Sequence, residues 1–295
     1  MELVDGKKLL AKVKLELKSE VQKMAHSNLR PPHLSAILVG DDPASKTYIN
    51  AKIKSCEEIG FNSSVFKYSE NVSETELLNK IHEINQSKEI DGLIVQLPLP
   101  KHINSDFITH SIDYKKDVDG FHPINMGRMV LGLDCFVPAT PFGIMSLLEE
   151  YNIETSGKSC LVIGRSHIVG TPVSILMSRN KKRANSTVTL AHSKTKNLTS
   201  LTKEADIIIA AIGIPHFIKD TMVKKGCVII DVGIHRVPSD KTKSGYRLVG
   251  DVDFDKVKEK VSFITPVPGG VGPMTIASLL KNTLFSAKKI IYSRT

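Results

Sequence analysis

The stretch "SCLVIGRSHIVGTPVSILM", Ser159 to Met177, decides how the chain is read. "SCLVIG" is a short apolar run closed by a glycine, the signature of a buried strand. A helix is expected to start near Gly170, with Pro172 in its first turn, where the missing N–H of proline costs nothing. A strand that turns straight into a helix opens a parallel βα unit. The turn between them suits an anion, because helix N-terminal amides and the Arg165 guanidinium both favour negative charge. Its glycines are six residues apart, which is not the G-x-G-x-x-G spacing, so the turn alone leaves open what it binds.

The same alternation extends in both directions. Upstream lie an opening helix, the strand "LSAILVG", the helix "ASKTYINAKIKSCEEIG", the strand "SSVFKY", the helix "SETELLNKIHEINQS" and the strand "DGLIVQLPLP". The helix "TPFGIMSLLEEYN" leads into a second series, whose later strands are "STVTLAH", "ADIIIAAIG", "CVIIDVGI" and "VSFITPV". Short, nearly all-apolar strands separated by helices imply parallel sheets covered on both faces. The expected class is α/β, in two units that meet between residues 138 and 145. The last helix, "TIASLLKNTLFSAKKII", is amphipathic and is expected to fold back on the first unit. "SDKTKSG" reads as a mobile loop.

Composition narrows the function classes. Of 295 residues, 41% are hydrophobic, as in a globular protein. No apolar run reaches the roughly 18 residues of a membrane span, so no membrane is expected as a partner. Four scattered cysteines, with no CxxC and no histidine at zinc spacing, argue for a reducing compartment and against a structural metal. The net charge of +9 raises the question of nucleic acid. Most lysines, however, alternate with acids on amphipathic helices, and the one basic cluster, "NKKRAN" (Asn180 to Asn185), has no aromatic residue for base stacking. A solvated surface that attracts small anions accounts for the charge, and no nucleic-acid partner is expected.

Candidate chemistry collects at strand ends. Tyr48 and Lys52 are four apart on a helix whose apolar residues Ile49, Ile53, Cys56 and Ile59 form a stripe, which puts the pair on a flank of that stripe. Alone, such a pair is as consistent with packing and snorkelling as with chemistry. Gln96 runs out of an apolar strand into a proline-rich turn, where a polar side chain needs a partner, protein or ligand. Asp117 and Asp119 precede Gly120 in "KDVDGFHP", which by itself is an ordinary turn. "TPVPGGVGPMT", Thr265 to Thr275, has three prolines and three glycines and reads as a loop whose backbone closely approaches a ligand. The strand after the Gly164 turn ends "AHSKT" with no acid at its tip. Ser193 with Arg165 therefore suits a ribose 2′-phosphate better than a free 2′-hydroxyl.

In order and spacing, "SKTYINAKIKSCEEIG", "DGLIVQLPLP", "KDVDGFHP", "GRSHIVGTP", "AHSKT", "DVGI" and "PVPGGVGPMT" resemble the bifunctional 5,10-methylenetetrahydrofolate dehydrogenase/5,10-methenyltetrahydrofolate cyclohydrolase family over essentially the whole chain. The resemblance implies two α/β domains around a cleft: residues 1–142 with the returning helix 276–295 as the folate-binding catalytic domain, and 143–275 as a Rossmann-like NADP-binding domain. It also implies a homodimer acting on folate, polyglutamylated or not, in the cytoplasm or an organelle matrix. By resemblance Lys52 is the catalytic lysine, with Tyr48 and Gln96 beside it and Asp119 the pterin-binding aspartate. Val95 and Leu97 flank the folate, and Pro268, Gly269, Gly270, Val271 and Gly272 loop over it. Gly164, Arg165, Ser166, Ser193 and Ile234 correspond to NADP contacts. Three departures stand out: Ala139 in place of a frequent cysteine, the lengthened "NKKRAN" segment expected near the 2′-phosphate, and an end at Thr295 without the synthetase domain of trifunctional forms. A two-domain oxidoreductase of the shikimate-dehydrogenase type is the competing class; it leaves Tyr48, Gln96 and "PVPGGVGPMT" unexplained.

Overall fold

The computed structural model describes residues 1–242 and 245–292; Lys243 and Ser244 of the expected mobile loop lie outside them. The chain starts with β1 (Glu2–Leu3) and α1 (Gly6–His26), whose buried Val13, Leu17, Val21 and Met24 recur at helical spacing. There follow β2 (His33–Val39), α2 (Pro43–Ile59), β3 (Asn62–Tyr68), α3 (Glu74–Gln86), β4 (Gly92–Val95), α4 (Ser105–His110) and α5 (Pro123–Leu131). Next come α6 (Ala139–Glu150), β5 (Ser159–Ile163), α7 (Gly170–Ser178), β6 (Thr187–Ala191), α8 (Leu198–Glu204), β7 (Ile207–Ala210), β8 (Val228–Asp231), β9 (His235–Pro238) and β10 (Tyr246–Val249). The chain finishes with α9 (Phe254–Val257), β11 (Phe263–Ile264) and α10 (Val271–Ala287).

Packing divides these elements into two units. The first comprises Ala11–Ala139 and the chain from Ile276 on. Its sheet is parallel, in the order β3-β2-β4, and Leu93 bridges to Asp117, which lines up a further segment beside β4. Ile37, Leu77, Ile81, Ile84, Leu93 and Ile108 form its core. Burying each of these side chains contributes roughly 1.5–3 kcal/mol. The closing stretch of α10 packs into this unit: Asn282 Nδ2 donates to the carbonyls of Val118 and Val137 at 2.8 and 3.1 Å, and Ser286 Oγ to those of Asp91 and Lys115.

The second unit comprises Met1–Leu10 and Thr140–Thr275. Its six strands, all paired in parallel, run β1-β11-β8-β7-β5-β6. The chain steps from β5 to β6 on one side and then to β7 on the other, so the order reverses at β5. That reversal is where doubly wound sheets bind ligands.

Three sequence expectations change. Residues 1–10, expected with the folate-binding half, pack in the other unit, because Glu2 and Leu3 pair with Phe263 and Ile264 as an edge strand; two residues carry no readable period. "VSFITPV" yields only Phe263–Ile264 as strand, since Pro266 and Pro268 cannot donate to a ladder. The last helix begins at Val271, so Val271 and Gly272 are its first turn rather than loop.

Candidate active site

Helix α2 is fixed at both ends. Asp42 caps it by accepting the Ser45 N–H at 2.7 Å, Pro43 occupies the first turn, and Gly60 closes it at φ +84. The buried residues of the helix are Ser45, Ile49, Lys52, Ser55, Cys56 and Ile59. Lys52 thus lies in the stripe itself, not on its flank, and is 7% exposed. Tyr48, one turn earlier, is half-buried, and burial raises its hydroxyl pKa.

A buried ammonium costs several kcal/mol unless it is paired or loses its proton. The hydrogen bond that Lys52 Nζ makes is to Gln96 Oε1, 3.1 Å away, a neutral acceptor. Gln96 is held from both ends of its amide: its Nε2 donates to the Leu97 carbonyl at 2.8 Å, and its backbone N–H continues the sheet to Ile37 O. Burial lowers the Lys52 pKa, and the Asp119 charge opposes that shift. Asp119 is the counterpart: burial pushes its carboxyl up to about 6, with Lys52 opposing and Asp117 adding to the rise. Burial thus pushes both groups toward their neutral forms, and the charge of each opposes the shift of the other, the kind of perturbed pair that collects at functional sites.

The turn that carries Asp119 is built by Asp117, which is 1% exposed. Its Oδ2 accepts the His122 N–H at 2.8 Å and Asn125 Nδ2 at 2.9 Å, while Asn125 Oδ1 accepts from Phe136 N and Tyr292 OH. Gly120, at φ +76, passes so close to Pro138 that a Cβ would lie 2.6 Å from its nitrogen. What reads in sequence as one ordinary turn holds two aspartates in different settings, Asp117 hydrogen-bonded within the turn and Asp119 electrostatically coupled to Lys52.

The pair has a measurable linkage. A carboxyl raised in the fold contributes stability that is fully present below its ordinary value of 3.8 and is lost as pH rises through about 6. Asp119→Asn removes that loss. Its stability relative to wild type should therefore improve between pH 5 and pH 8, by on the order of 1 kcal/mol. Urea midpoints at the two pH values test this, and a constant difference between the proteins would refute it.

In the second unit, the β5–α7 turn is closed by glycines. A Cβ on Gly164, at φ +114, would lie 2.0 Å from Ala211 O, and one on Gly170 would lie 1.8 Å from Gly164 O. Ser166 Oγ accepts the Val169 and Gly170 amides, and Thr171 Oγ1 donates to Arg165 O. This internal stapling leaves the Arg165 side chain exposed, with no hydrogen bond or ion pair to another described residue. Ser193 is exposed beyond the carboxyl end of β6, flanked by His192 and Lys194 instead of an acid. Lys194 and Lys196, also exposed there, were not singled out from the sequence.

"NKKRAN" lies elsewhere than expected. Helix α7 returns the chain to the amino ends of the strands, so this segment precedes Thr187 while Ser193 follows Ala191, some 15 Å away along β6 at ~3.3 Å per residue. Arg183 NH2 bonds Asn152 Oδ1 at 2.6 Å, and Thr155 Oγ1 donates to Ala184 O, tying the segment to the turn before β5. It is a structural link at the opposite end of β6 from Ser193.

The loop before α10 belongs to the second unit. Thr265 Oγ1 accepts the Asp231 N–H at 2.7 Å, Gly269 O accepts Lys7 N–H at 3.1 Å, and a Cβ on Gly6 would lie 1.8 Å from Gly270 O. A Cβ on Gly272 would approach Ile234 Cδ1 to 3.2 Å. The structure therefore gathers Tyr48, Lys52, Val95, Gln96, Leu97 and Asp119 in one unit. Gly164, Arg165, Ser166, Ser193, Ile234 and the stretch Pro268, Gly269, Gly270, Val271 and Gly272 lie in the other. All four cysteines are buried and free, and no group of described residues could hold a metal ion.

One unit with a small parallel sheet and a buried helical lysine, and another with a doubly wound sheet and a glycine-closed turn at its switch point, define a two-part α/β protein of the dinucleotide-binding class. Comparison with known proteins is more specific. Residues 4–119 match the model "Tetrahydrofolate dehydrogenase/cyclohydrolase, catalytic domain", and 138–291 the model "Tetrahydrofolate dehydrogenase/cyclohydrolase, NAD(P)-binding domain". The chain belongs to the tetrahydrofolate dehydrogenase/cyclohydrolase family. The "Bifunctional protein FolD" of Bacteroides fragilis is 56% identical over 292 residues, covering 99% of this chain and 100% of that protein. Among solved structures, the bifunctional FolD of Campylobacter jejuni is 48% identical with a TM-score of 0.92, covering 98% of this chain and 99% of that one. The Trypanosoma brucei dehydrogenase-cyclohydrolase, solved with NADP cofactor and inhibitor, is 34% identical with a TM-score of 0.93, covering 99% of each chain.

Proposed function

We propose that this protein oxidises 5,10-methylenetetrahydrofolate with NADP and hydrolyses the 5,10-methenyl product to 10-formyltetrahydrofolate, two consecutive steps of one-carbon metabolism that supply formyl groups for purine biosynthesis. The observation that carries the reading is Lys52: a buried amine with depressed pKa, held by Gln96 and facing Asp119. A structural lysine has no need of that environment.

The nucleotide, when bound, supplies the hydride acceptor. The chain's part in the first step is to bind and orient. Gly164 and Gly170 let backbone approach the phosphates, Arg165 and Ser193 suit the 2′-phosphate, and Tyr48, Val95 and Leu97 line the folate position. In the second step water adds to the methenyl carbon, forming a C–O bond. The neutral Lys52 amine takes the proton that water gives up, and Gln96 keeps the amine aimed. The carbinol O–H then gives up its proton to become the formyl C=O on N10, the N5–C bond breaks as N5 takes up one proton, and the other proton passes to solvent. Asp119, at about 6, is charged at neutral pH and suits the pterin N–H donors. The loop Pro268 to Gly270 and the helix turn Val271–Gly272 are assigned to folate, and Ile234 to the cofactor.

We further assign the protein as a homodimer acting in the cytoplasm, in keeping with four free, buried cysteines. No described helix is long and apolar enough to cross a membrane.

Purified protein given methylenetetrahydrofolate and NADP should show NADPH formation, and given methenyltetrahydrofolate alone should hydrolyse it faster than buffer does. Dehydrogenation without hydrolysis above the spontaneous rate would overturn the bifunctional assignment.

A further inference from the structure

The second unit contains two buried carboxylates that the chemistry above does not use. Asp231 ends β8 and Asp251 follows β10; they are 3% and 0% exposed. Asp231 Oδ1 accepts the amides of Gly233 and Asp251 at 3.0 and 2.9 Å, and its Oδ2 that of Val252 at 3.0 Å. Asp251 accepts three successive amides of the turn after β7. They are Ile212 at 2.6 Å, Gly213 at 3.1 and 3.2 Å to its two oxygens, and Ile214 at 3.1 Å. Its Oδ1 also receives His235 Nε2 at 2.7 Å, from the chain that leaves β8. There is no slack around the pair. A Cβ on Gly250 would sit 1.8 Å from Asp231 Oδ2, and one on Gly233 2.5 Å from Asp251 Oδ1.

One carboxylate thus fixes two turns at once. Charge-assisted hydrogen bonds from amides and an imidazole offset the cost of its burial. Both turns stand at the carboxyl ends of β7 and β8, on one side of the β5 reversal, while Ser193 beyond β6 stands on the other. A dinucleotide crossing that reversal with its 2′-phosphate toward β6 lays its nicotinamide half over β7 and β8. At those two turns Ile214 and Ile234 are 50% and 39% exposed, an unusual state for isoleucine.

We propose that Asp251, coupled to His235, is a positioning residue for the nicotinamide half of the cofactor, holding the Ile212–Ile214 turn and the chain at Ile234 so that both isoleucines face that half. The proposal rests on the NADP assignment above. It requires no contact between Asp251 and the cofactor.

Asp251→Asn keeps the shape but offers one acceptor oxygen to donors that used two. Three measurements separate positioning from general damage: KM for NADP, the inhibition constant of 2′,5′-ADP, which carries only the adenosine half, and methenyltetrahydrofolate hydrolysis without nucleotide. KM for NADP should rise about tenfold or more, while the other two stay within about twofold. His235→Ala should show the same pattern with smaller amplitude, and the double variant should be no worse than Asp251→Asn, because both act through one hydrogen bond. Parallel loss of 2′,5′-ADP affinity, or an unchanged KM for NADP, overturns the proposal. If Asp251→Asn misfolds, hydrolysis falls with it, and half-buried His235→Ala decides by the same criteria. If the wild-type protein neither uses NADP nor binds 2′,5′-ADP, it is the cofactor assignment that fails.

Discussion

Lys52→Met is expected to lower methenyltetrahydrofolate hydrolysis by roughly 10²–10⁴-fold, the usual share of a positioned general base, and to leave dehydrogenation largely in place. The asymmetry follows from the chemistry. Hydride transfer moves no proton at the amine and depends chiefly on holding the two reactants together. Hydrolysis needs a group that takes a proton, and burial at 7% exposure lowers the Lys52 pKa in the direction that role requires. Methenyl product should accumulate in the variant. Lys52→Arg sharpens the test, since it keeps the positive charge but does not deprotonate, and it should fail in the same reaction. In wild type, hydrolysis should rise with pH as the neutral amine is populated, and that limb should be missing from both variants. Methionine fills a similar volume without a charge to bury, so Lys52→Met should be at least as stable as wild type. Wild-type hydrolysis in Lys52→Met would make the lysine structural.

Arg165→Ala should raise KM for NADP about ten- to a hundredfold and leave KM for NAD little changed. The 2′-phosphate carries nearly two negative charges at neutral pH, and a charge-assisted hydrogen bond to it contributes roughly 1.5–3 kcal/mol. Arg165 offers two donors from a side chain that no described residue engages, on a turn stapled by Ser166 and Thr171. Ser193 adds a hydroxyl, and no carboxylate stands beside it to repel the group. The basic segment before β6 is at the far end of that strand, with Arg183 engaged by Asn152, so Lys181→Ala and Lys182→Ala should change nothing. The measurement is kcat/KM for both cofactors, with and without inorganic phosphate. Equal values in wild type, or an advantage for NAD that appears with phosphate, would sink the assignment.

The alternation of apolar strands with helices was legible because residues buried on both faces of a parallel sheet must be apolar throughout. Gln96 stood out as a polar residue at the end of an apolar strand, whereas Lys52 reads alone as a packing residue and Asp119 as part of an ordinary turn, and only the resemblance singles them out. Their depth was not legible, since whether Lys52 lies on the flank or in the stripe turns on which neighbours cover it. The location of "NKKRAN" was misread because a link between helix and strand looks alike in sequence whichever end of the sheet it occupies. Asp251 was passed over in "RLVGDVDF", where an acid beside glycine reads as a turn. Only the fold brings three amides and an imidazole to it.

The first unit is interrupted in sequence: Ala11–Ala139 is completed by α10, after more than a hundred residues that belong elsewhere. During synthesis, β2, β3 and β4 leave the ribosome before the helix that caps Val118 and Val137 through Asn282 has been made. The intervening unit can finish folding while the earlier one still exposes the apolar surface meant for Leu279, Leu280 and Leu284. The nascent chain therefore passes through an interval in which its first unit lacks these contacts, and a premature stop within α10 would leave it without them permanently.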